Sequence, residues 1–295
     1  MRFSSLLRLP QCSICASFCA SAIALVTISV NALVIPLPGY AFQASAAAKV
    51  QSSSVQLEEL TSTEVKDRLA AGSNTIIIPV GATEQTGPYV ALGKHNFRVR
   101  AIVEQIAQKT GNALVAPVIS YVPEGSINPP VAHMRFTGTI SIPDAAFEAM
   151  LEGAARSFKQ HGFKNIVLVG DHGGYKQILE KVAKKLNHEW ANDPRARMIY
   201  LGEYYRLSSE GVDALLKKRG YSDAEIGAHG GLADTALTMA IDKNLVRSDA
   251  MAANPKPTPQ EGVTGDPRRA SAELGQSCVQ LIIDGSVAAL RAAIK

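Results

Sequence analysis

Two glycine-rich loops carry the side chains that are best suited to chemistry. Glu84 lies in the segment PVGATEQTGP (residues 79–88), which follows the apolar run TIII, and His172 lies in GDHGG (residues 170–174), which follows IVLV. Short apolar runs of this kind are typical of buried strands in a parallel sheet. Loops at the carboxyl ends of such strands converge on one crevice, so we expect Glu84 and His172 to face each other. A carboxylate opposite an imidazole predicts a metal site or an acid–base site.

Apolar strands and amphipathic helices alternate along most of the chain. A capping box formed by Thr61 and Glu64 opens the first helix, and Val99 and Ile102 belong to a helical repeat in the second. This alternation predicts an α/β fold with a mainly parallel sheet that helices cover on both faces. No repeat or composition break divides residues 47–295, so we expect one domain. The predicted strands are 75–80, 113–119, 138–142, 165–169 and 197–202, and the predicted helices are 61–71, 97–109, 143–161, 175–189, 209–219, 229–241 and 269–293.

The N-terminal segment has the pattern of an export signal. Arg2 and Arg8 precede an uncharged stretch over residues 11–43, and Ala44-Ser45-Ala46 offers a cleavage site of small residues. We expect residues 1–46 to be a signal peptide and the mature protein to be exported, either periplasmic or secreted, without stable membrane association. The alternative is a retained membrane anchor, because the uncharged stretch is long enough to span a bilayer.

The bulk composition is that of an ordinary globular protein and excludes one class of partner. Of the 295 residues, 46% are hydrophobic and 19% are charged, and the formal net charge is only +4. Nucleic-acid-binding proteins usually carry a block of basic residues, and this sequence has none. We therefore expect no nucleic-acid partner.

Four segments resemble, in order, the motifs of the creatininase (creatinine amidohydrolase) family. Residues 80–88, VGATEQTGP, resemble the opening signature of the family, which reads roughly PVGSTEQHGPHLPLGTD. Residues 136–141, FTGTIS, resemble FPGTIS; residues 170–175, GDHGGY, resemble NGHGGN; and residues 229–235, HGGLADT, resemble HAGExET. Because the four motifs occur in the order of the family over about residues 57–245, the chain is identified as a member of this family.

The resemblance implies a three-layer α/β/α fold, a small-molecule substrate and a ring-like homo-oligomer, which is a hexamer in the family. It also implies a two-metal centre that hydrolyses C–N bonds of cyclic amides or formamides. The metal ligands of the family are the Glu and His of EQHG, the Asp of LGTD, the His of NGHGGN and a later Glu. Glu84 and His172 match two of these positions.

Other ligand positions of the family hold different residue types in this chain. Thr86 replaces the histidine of EQHG, and His95 replaces the aspartate of LGTD that bridges both metals. A carboxylate can bridge two cations, whereas a neutral imidazole offers one lone pair and cannot. We therefore expect one divalent metal, held by Glu84, His95 and His172, as in a catalytic zinc site or a two-His-one-carboxylate iron site. Zinc is the first expectation, and manganese or iron is the alternative.

The remaining candidates have both functional and ordinary interpretations. His229 and Asp234 are candidate catalytic residues. His229 matches a family histidine near the scissile group and would act as a general base or proton shuttle, or else it is an ordinary histidine at a helix N-terminus. Asp234 either orients a ligand histidine or is a plain helix carboxylate. His95 either binds metal or is a surface or capping residue beside Asn96. The candidate substrate-binding residues are Thr86, Tyr89, His133, Asp171 and Tyr175.

The sequence thus predicts a metal-dependent hydrolase that acts on a C–N bond of a small cyclic amide, lactam or formamide. One divalent metal would activate water, and His229, with Asp234, would move protons. Two alternatives stay open. The first is a degenerate family member that binds a small molecule or supports an assembly without hydrolysis, and it rests on the replaced ligands at Thr86 and His95. The second is a one-metal enzyme that acts on a sugar or polyol, since fold alone does not fix chemistry.

Overall fold

A parallel sheet of four strands forms the middle of the computed structural model, which describes residues 52–295. The strands are β1 Thr75–Val80, β2 Ala113–Val115, β3 Asn165–Gly170 and β4 Arg197–Tyr200. Their order in the sheet is β2-β1-β3-β4, and β1 pairs with β3 from Thr75 opposite Asn165 to Val80 opposite Gly170. Every residue of β1 and β3 is buried, which explains why both strands read as continuous apolar runs.

Helices cover both faces of this sheet. They are α1 Ser62–Ala70, α2 Lys94–Thr110, α3 Asp144–Gln160, α4 Lys176–Glu189, α5 Gly202–Arg206, α6 Val212–Lys218, α7 Asp223–Ile226, α8 Leu232–Ile241, α9 Ser248–Ala253 and α10 Ala272–Ala293. Helices α2, α8 and α10 pack with Ile77 and Val167 on one face, whereas α3 and α4 pack with Ile76 and Ile166 on the other. The predicted three-layer α/β/α fold is confirmed.

The strand predicted at residues 138–142 is wrong. Ile140 donates its backbone hydrogen bond to the carbonyl of Thr83 in the loop after β1, and the segment has no strand partner among the described residues. Gly138 has a φ of 95°, a left-handed conformation that does not continue a strand. The alternating apolar residues of this segment therefore anchor a loop, which local sequence pattern does not distinguish from a strand.

Helix α2 begins earlier than predicted. It starts at Lys94 instead of residue 97, so His95 lies inside its first turn. Asn96 does not cap the helix, because its side chain accepts a hydrogen bond from Ala82 N at 3.0 Å. The first turn of α2 therefore lies directly against the loop that carries Glu84.

The helical run after β4 is longer than predicted. The sequence predicts a helix at 209–219, but continuous helix begins at Gly202 and includes a π-helical stretch, Leu207–Gly211, before α6. Stretches of π-helix are rare and are frequent at functional sites. Ser208 and Ser209 in this stretch line the cavity beside Glu84.

The described residues belong to one compact unit. The predicted signal peptide at residues 1–46 lies outside the described residues and stays a prediction, as does the domain boundary at residue 47. Within residues 52–295, no helix is long and apolar enough to cross a membrane.

Candidate active site and metal centre

The carboxyl ends of the two central strands bring Glu84 and His172 together. Both residues follow neighbouring strands of the sheet, β1 and β3, by a few positions. His172 Nε2 lies 3.5 Å from Glu84 Oε2, as the topology predicts. A Cβ at Gly81 would lie 2.1 Å from the side chain of Asn96, so only glycine permits this close approach between the Glu84 loop and α2.

His133 reaches the same carboxylate from the long connection between β2 and α3. Its Nε2 lies 3.3 Å from Glu84 Oε2, and Gln85 Nε2 lies 3.3 Å from its Nδ1. The 3₁₀ turn that holds His133 begins at Ala132, which has a φ of 49°. Left-handed backbone at a residue with a Cβ is uncommon, and such strain concentrates at functional sites. The local backbone therefore supports a functional role for His133.

Glu124 is a second buried carboxylate in the same connection. Its backbone N–H donates to Ser141 Oγ at 2.9 Å, and Ser141 Oγ donates to Gly125 O at 2.7 Å, which fixes the loop. Glu124 Oε1 lies 3.2 Å from His172 Nδ1. Burial, and then the neighbouring Glu84 carboxylate, raise the pKa of Glu124 to about 9. The carboxyl is therefore neutral at pH 7 in the structure as it stands.

Four side chains form a group with the geometry of a metal-binding site. One donor atom each from Glu84, Glu124, His133 and His172 lies within 4.8 Å of the others. Glu84 Oε2 and both carboxylate oxygens of Glu124 are buried without a hydrogen-bond partner. Buried acceptors are costly unless something satisfies them, and imidazole with carboxylate is the ligand set of zinc and iron sites. These residues therefore fit one divalent cation.

The imidazoles of this group are uncharged near neutral pH. Burial lowers the pKa of His172 to about 3, and burial also lowers the pKa of His133. A neutral imidazole keeps a lone pair for a metal. Burial alone would raise the pKa of Glu84, but Lys94 and then His95 hold it below its ordinary value. The group thus offers one ionised carboxylate and two neutral imidazoles.

A second cluster, here called the ion-pair cluster, lies on the other side of Glu84 and consists of Lys94, His95, Arg98, Asp171 and Asp234. His95 Nδ1 lies 2.6 Å from Asp171 Oδ2, and His95 Nε2 lies 2.8 Å from Glu84 Oε1. Both ring nitrogens therefore face carboxylate oxygens, which only accept hydrogen bonds when ionised. The ligand role of His95 stays a prediction, and these contacts favour hydrogen bonding instead.

Lys94 and Arg98 are the basic side chains that hold the carboxylates of the ion-pair cluster. Lys94 Nζ lies 3.0 Å from Asp234 Oδ2 and 3.4 Å from Glu84 Oε1. Arg98 Nη1 lies 2.8 Å from Asp234 Oδ1, and its Nη2 lies 2.7 Å from Asp171 Oδ2. Burial alone would raise the pKa of Asp234, but Lys94 and Arg98 hold it well below its ordinary value. Asp234 is therefore an ionised, anchored carboxylate that is poorly suited to proton exchange.

His229 lies near Glu84 on the side of the ion-pair cluster. Its Nε2 lies 2.9 Å from the backbone carbonyl oxygen of Gln85, which only accepts, so we assign the ring proton to Nε2. The other nitrogen, Nδ1, keeps its lone pair and lies 3.9 Å from Glu84 Oε1. Burial, and then Lys94, lower the pKa of His229 to about 4. His229 is therefore a neutral proton acceptor at pH 7.

Glu84, His133 and His172 of the candidate metal site line one cavity of about 410 Å³ together with the ion-pair cluster. The helical run after β4 contributes Tyr205, Ser208, Ser209 and Asp213 to the lining of this cavity. Asp213 is half-buried, and burial raises the pKa of its carboxyl. A cavity of this size with a polar wall admits a small polar molecule.

The structure divides the predicted substrate-binding residues into two sets. His133 and Asp171 line the cavity, whereas Thr86, Tyr89 and Tyr175 are not among its lining residues. Tyr175 is fully buried, and its hydroxyl donates to a β1 carbonyl at 2.8 Å, so it supports the Glu84 loop from below. Thr86 is buried, and Tyr89 packs against a small apolar cluster. The substrate contacts of these residues stay predictions.

Sequence reasoning did not identify Glu124, Lys94 or Arg98. A signal existed for the last two, because residues four positions apart share one face of a helix, and both flank the predicted site residue His95. Glu124 lies in a loop rich in proline and glycine, where no periodicity indicates which side chain turns inward. Only the three-dimensional path of that loop reveals it.

A family model described as creatinine amidohydrolase matches residues 58–290. Creatinine amidohydrolase from Pseudomonas putida is 26% identical over 256 residues, which cover 81% of this chain and 97% of the relative. Mycofactocin precursor peptide peptidase from Mycolicibacterium smegmatis is 26% identical over 231 residues, which cover 71% of this chain and 81% of the relative. A solved creatininase variant of Zn-Zn type has a TM-score of 0.68 and 25% identity, covering 82% of this chain and 99% of the other.

Proposed function

Because the chain belongs to the creatininase (creatinine amidohydrolase) family, we propose that it is a hydrolase with one divalent metal held by Glu84, His133 and His172. The metal in this proposal is zinc, with manganese or iron as alternatives, and the zinc form of a similar structure supports that choice. The bond that it breaks is the C–N bond of a small cyclic amide, lactam or formamide.

The observation that carries this proposal is the convergence of two imidazole nitrogens on one carboxylate oxygen. His133 Nε2 and His172 Nε2 lie 3.3 Å and 3.5 Å from the same atom, Glu84 Oε2. That oxygen is buried without a hydrogen-bond partner, and a cation among the three atoms would satisfy it. Glu124 lies at Nδ1 of His172, where outer carboxylates commonly orient a metal-bound imidazole.

The chemistry divides between the metal and the side chains around it. A divalent metal at such a site acts as a Lewis acid and favours attack of water on a carbonyl carbon. His229 Nδ1, with its lone pair beside Glu84, can accept a proton from water and return it to the leaving nitrogen. The sequence predicts a role in proton transfer for Asp234 beside His229. In the structure Asp234 instead forms an ion pair with Lys94 and accepts a hydrogen bond from Gly230 N at 2.9 Å. In this proposal Asp234 positions the loop of His229.

Two observations support an amide-type bond in a small polar substrate. The names of the Pseudomonas and Mycolicibacterium relatives, an amidohydrolase and a peptide peptidase, both describe cleavage of such bonds. Ser208, Ser209 and Asp213 line the cavity of about 410 Å³ together with Glu84, His133 and His172. The serine and aspartate side chains would hold the polar edge of a substrate and leave its carbonyl toward Glu84.

The test is elemental analysis of the protein, purified without a chelator, beside His133→Ala and His95→Ala variants. The proposal predicts about one metal per chain in the wild type, loss of metal in His133→Ala, and retention in His95→Ala. Loss in His95→Ala with retention in His133→Ala would instead support Glu84, His95 and His172 as ligands. A screen of amides, lactams and formamides, with metal-depleted protein as the control, then tests the reaction class.

The same experiment separates the proposal from its alternatives. A wild-type protein without metal would favour the degenerate family member that binds a small molecule without hydrolysis. One metal per chain, with turnover of sugars or polyols and none of amides, would favour the one-metal sugar enzyme.

A further inference from the structure

The two oxygens of the Glu84 carboxylate face different surroundings. Glu84 Oε2 faces His133 and His172 in the candidate metal site. Glu84 Oε1 faces Lys94 Nζ at 3.4 Å and His95 Nε2 at 2.8 Å. A carboxylate that bridges two cations has this disposition, with one oxygen directed at each.

A similar solved structure is of Zn-Zn type, but the surroundings of Glu84 Oε1 do not fit a second metal ion. Two of the three nitrogens near that oxygen belong to Lys94 and to His95, whose ring already faces two carboxylates. An ammonium offers no lone pair to a metal and repels it. The third nitrogen is His229 Nδ1, at 3.9 Å from Glu84 Oε1.

We propose that the Lys94 ammonium occupies the position of a second metal ion, so that one metal and one built-in cation share Glu84. This inference rests on the metal site of the proposed function. Lys94 is 1% exposed and lies between two carboxylates, with Asp234 Oδ2 at 3.0 Å on its far side. Glu84 Oε2 would help to hold the metal, and Glu84 Oε1 contacts the ammonium, so this carboxylate would stand between two cations as a family carboxylate does between two metals.

The charges of the ion-pair cluster support this assignment. Three buried or half-buried carboxylates face three nitrogen-bearing side chains, in contacts that pair Glu84, Asp171 and Asp234 with Lys94, His95 and Arg98. A buried carboxylate needs such a partner, because an unpaired charge inside a protein is strongly unfavourable. Side chains therefore already meet the demand for positive charge that a second metal would otherwise meet.

Because the Lys94 ammonium is part of the chain, it determines how many metal ions the site can bind. A second metal can be lost to a chelator or to a competing protein, whereas a lysine side chain stays in place. Lys94 is thus a positioning residue that holds Glu84 and Asp234, and its removal would leave these carboxylates, with His229 Nδ1, as three donors around an opening. The Lys94→Ala variant should then accept a second divalent ion at that opening.

The test is a titration of metal-free protein with Mn²⁺, followed by equilibrium dialysis and by electron paramagnetic resonance. The wild type should bind one Mn²⁺ per chain with the spectrum of an isolated ion. Lys94→Ala should bind two and show the spectrum of a spin-coupled pair, because Glu84 would then bridge both ions. Lys94→Arg, which keeps a cation, and Lys181→Ala, which removes an exposed lysine paired with Glu148, should both bind one.

The outcomes separate this inference from the proposed function. A wild type that binds two ions, or a Lys94→Ala variant that binds only one, would overturn the role of Lys94 and leave a metal-dependent hydrolase in place. A wild type that binds none would overturn both. If Lys94→Ala does not fold without metal, refolding in Mn²⁺ replaces the titration: recovery that requires two equivalents supports the inference, and failure to recover contradicts it.

Discussion

At the scale of single residues, Glu124 links metal binding to stability. In the metal-free protein we expect Glu124→Gln to raise the free energy of unfolding at pH 8 by roughly 1–5 kcal/mol. The upper value is about 1.4 kcal/mol for each pH unit between the ordinary pKa of 4.5 and pH 8, and the cost of burying the glutamine amide lowers it. The neutral amide removes the penalty of a buried carboxyl whose pKa is raised to about 9. The same variant should bind metal roughly 10–100-fold more weakly, since it loses the carboxylate beside His172. Urea denaturation and metal titration measure the two effects.

The raised pKa of Glu124 determines whether the free energy of unfolding rises or falls with pH. When the pH is above 4.5, the ordinary pKa, Glu124 loses its proton in the unfolded protein but keeps it in the folded protein. The free energy of unfolding therefore falls as pH rises toward about 9. Metal-free Glu124→Gln should lack this part of the slope, whereas Glu180→Gln, at an exposed residue paired with Lys184, should retain it. Equal slopes in both variants would show that Glu124 is not buried as a neutral acid.

The sequence predicts some of these residues and not others, for physical reasons. Glu84 and His172 are predictable because each follows a buried strand, and neighbouring parallel strands deliver their loops to one edge. The sequence names His133 as a candidate for substrate contact and does not identify Glu124. Both residues reach the site through an irregular connection, whose path depends on contacts such as the hydrogen bond from Gln85 N to Thr139 Oγ1. No short-range pattern encodes that path.

At the scale of elements, the close packing of α8 and α10 depends on Gly275. A Cβ at this position would lie 1.8 Å from the backbone oxygen of Ala236 in α8. We therefore expect Gly275→Ala to destabilise the protein by about 1–3 kcal/mol, as overpacking in a tight core does. The free energy of unfolding in guanidinium chloride measures this effect.

A glycine on the other face of the sheet provides the matched control. Gly153 lies inside α3, and a Cβ there meets nothing within 4 Å. Gly153→Ala should stabilise the protein by about 0.5–1 kcal/mol, because alanine loses less conformational entropy in a helix than glycine. Similar effects of the two substitutions would contradict the assigned packing of α8 against α10.

Periodicity predicted the elements where burial repeats regularly along the chain. The strand over residues 75–80 and the long helix α10 follow from apolar runs and helical spacing, which report burial directly. Apolar and polar residues alternate over residues 138–142 as they do in a strand, but this segment is a loop that anchors against its neighbours. The π-helical stretch Leu207–Gly211 has no sequence signature. These differences arise from tertiary contacts that the local pattern does not record.

At the scale of the whole molecule, one bound metal should stabilise the fold. A ligand at about 100 times its Kd contributes about 2.7 kcal/mol, which for a domain of this size corresponds to a rise in Tm of roughly 5–11 °C. We expect removal of metal with a chelator to lower Tm by that amount and added zinc to restore it. Differential scanning calorimetry of wild type and His133→Ala provides the comparison, because the variant should respond to neither treatment.

Export is the second prediction at this scale. Residues 1–46 have the basic start, apolar middle and small-residue exit of a signal peptide. We therefore expect protein recovered from its native cells to begin near residue 47, as N-terminal sequencing would show. A chain that retains this segment in the membrane fraction would instead support an anchor.

The central claim is a single metal held by Glu84, His133 and His172, and anomalous X-ray diffraction from crystals of the zinc-loaded protein tests it most directly. Data collected on both sides of the zinc absorption edge should show one strong peak per chain, bounded by Glu84 Oε2 and the Nε2 atoms of the two histidines. A second peak of equal strength beside Glu84 Oε1, or a single peak bound to His95, would contradict the account.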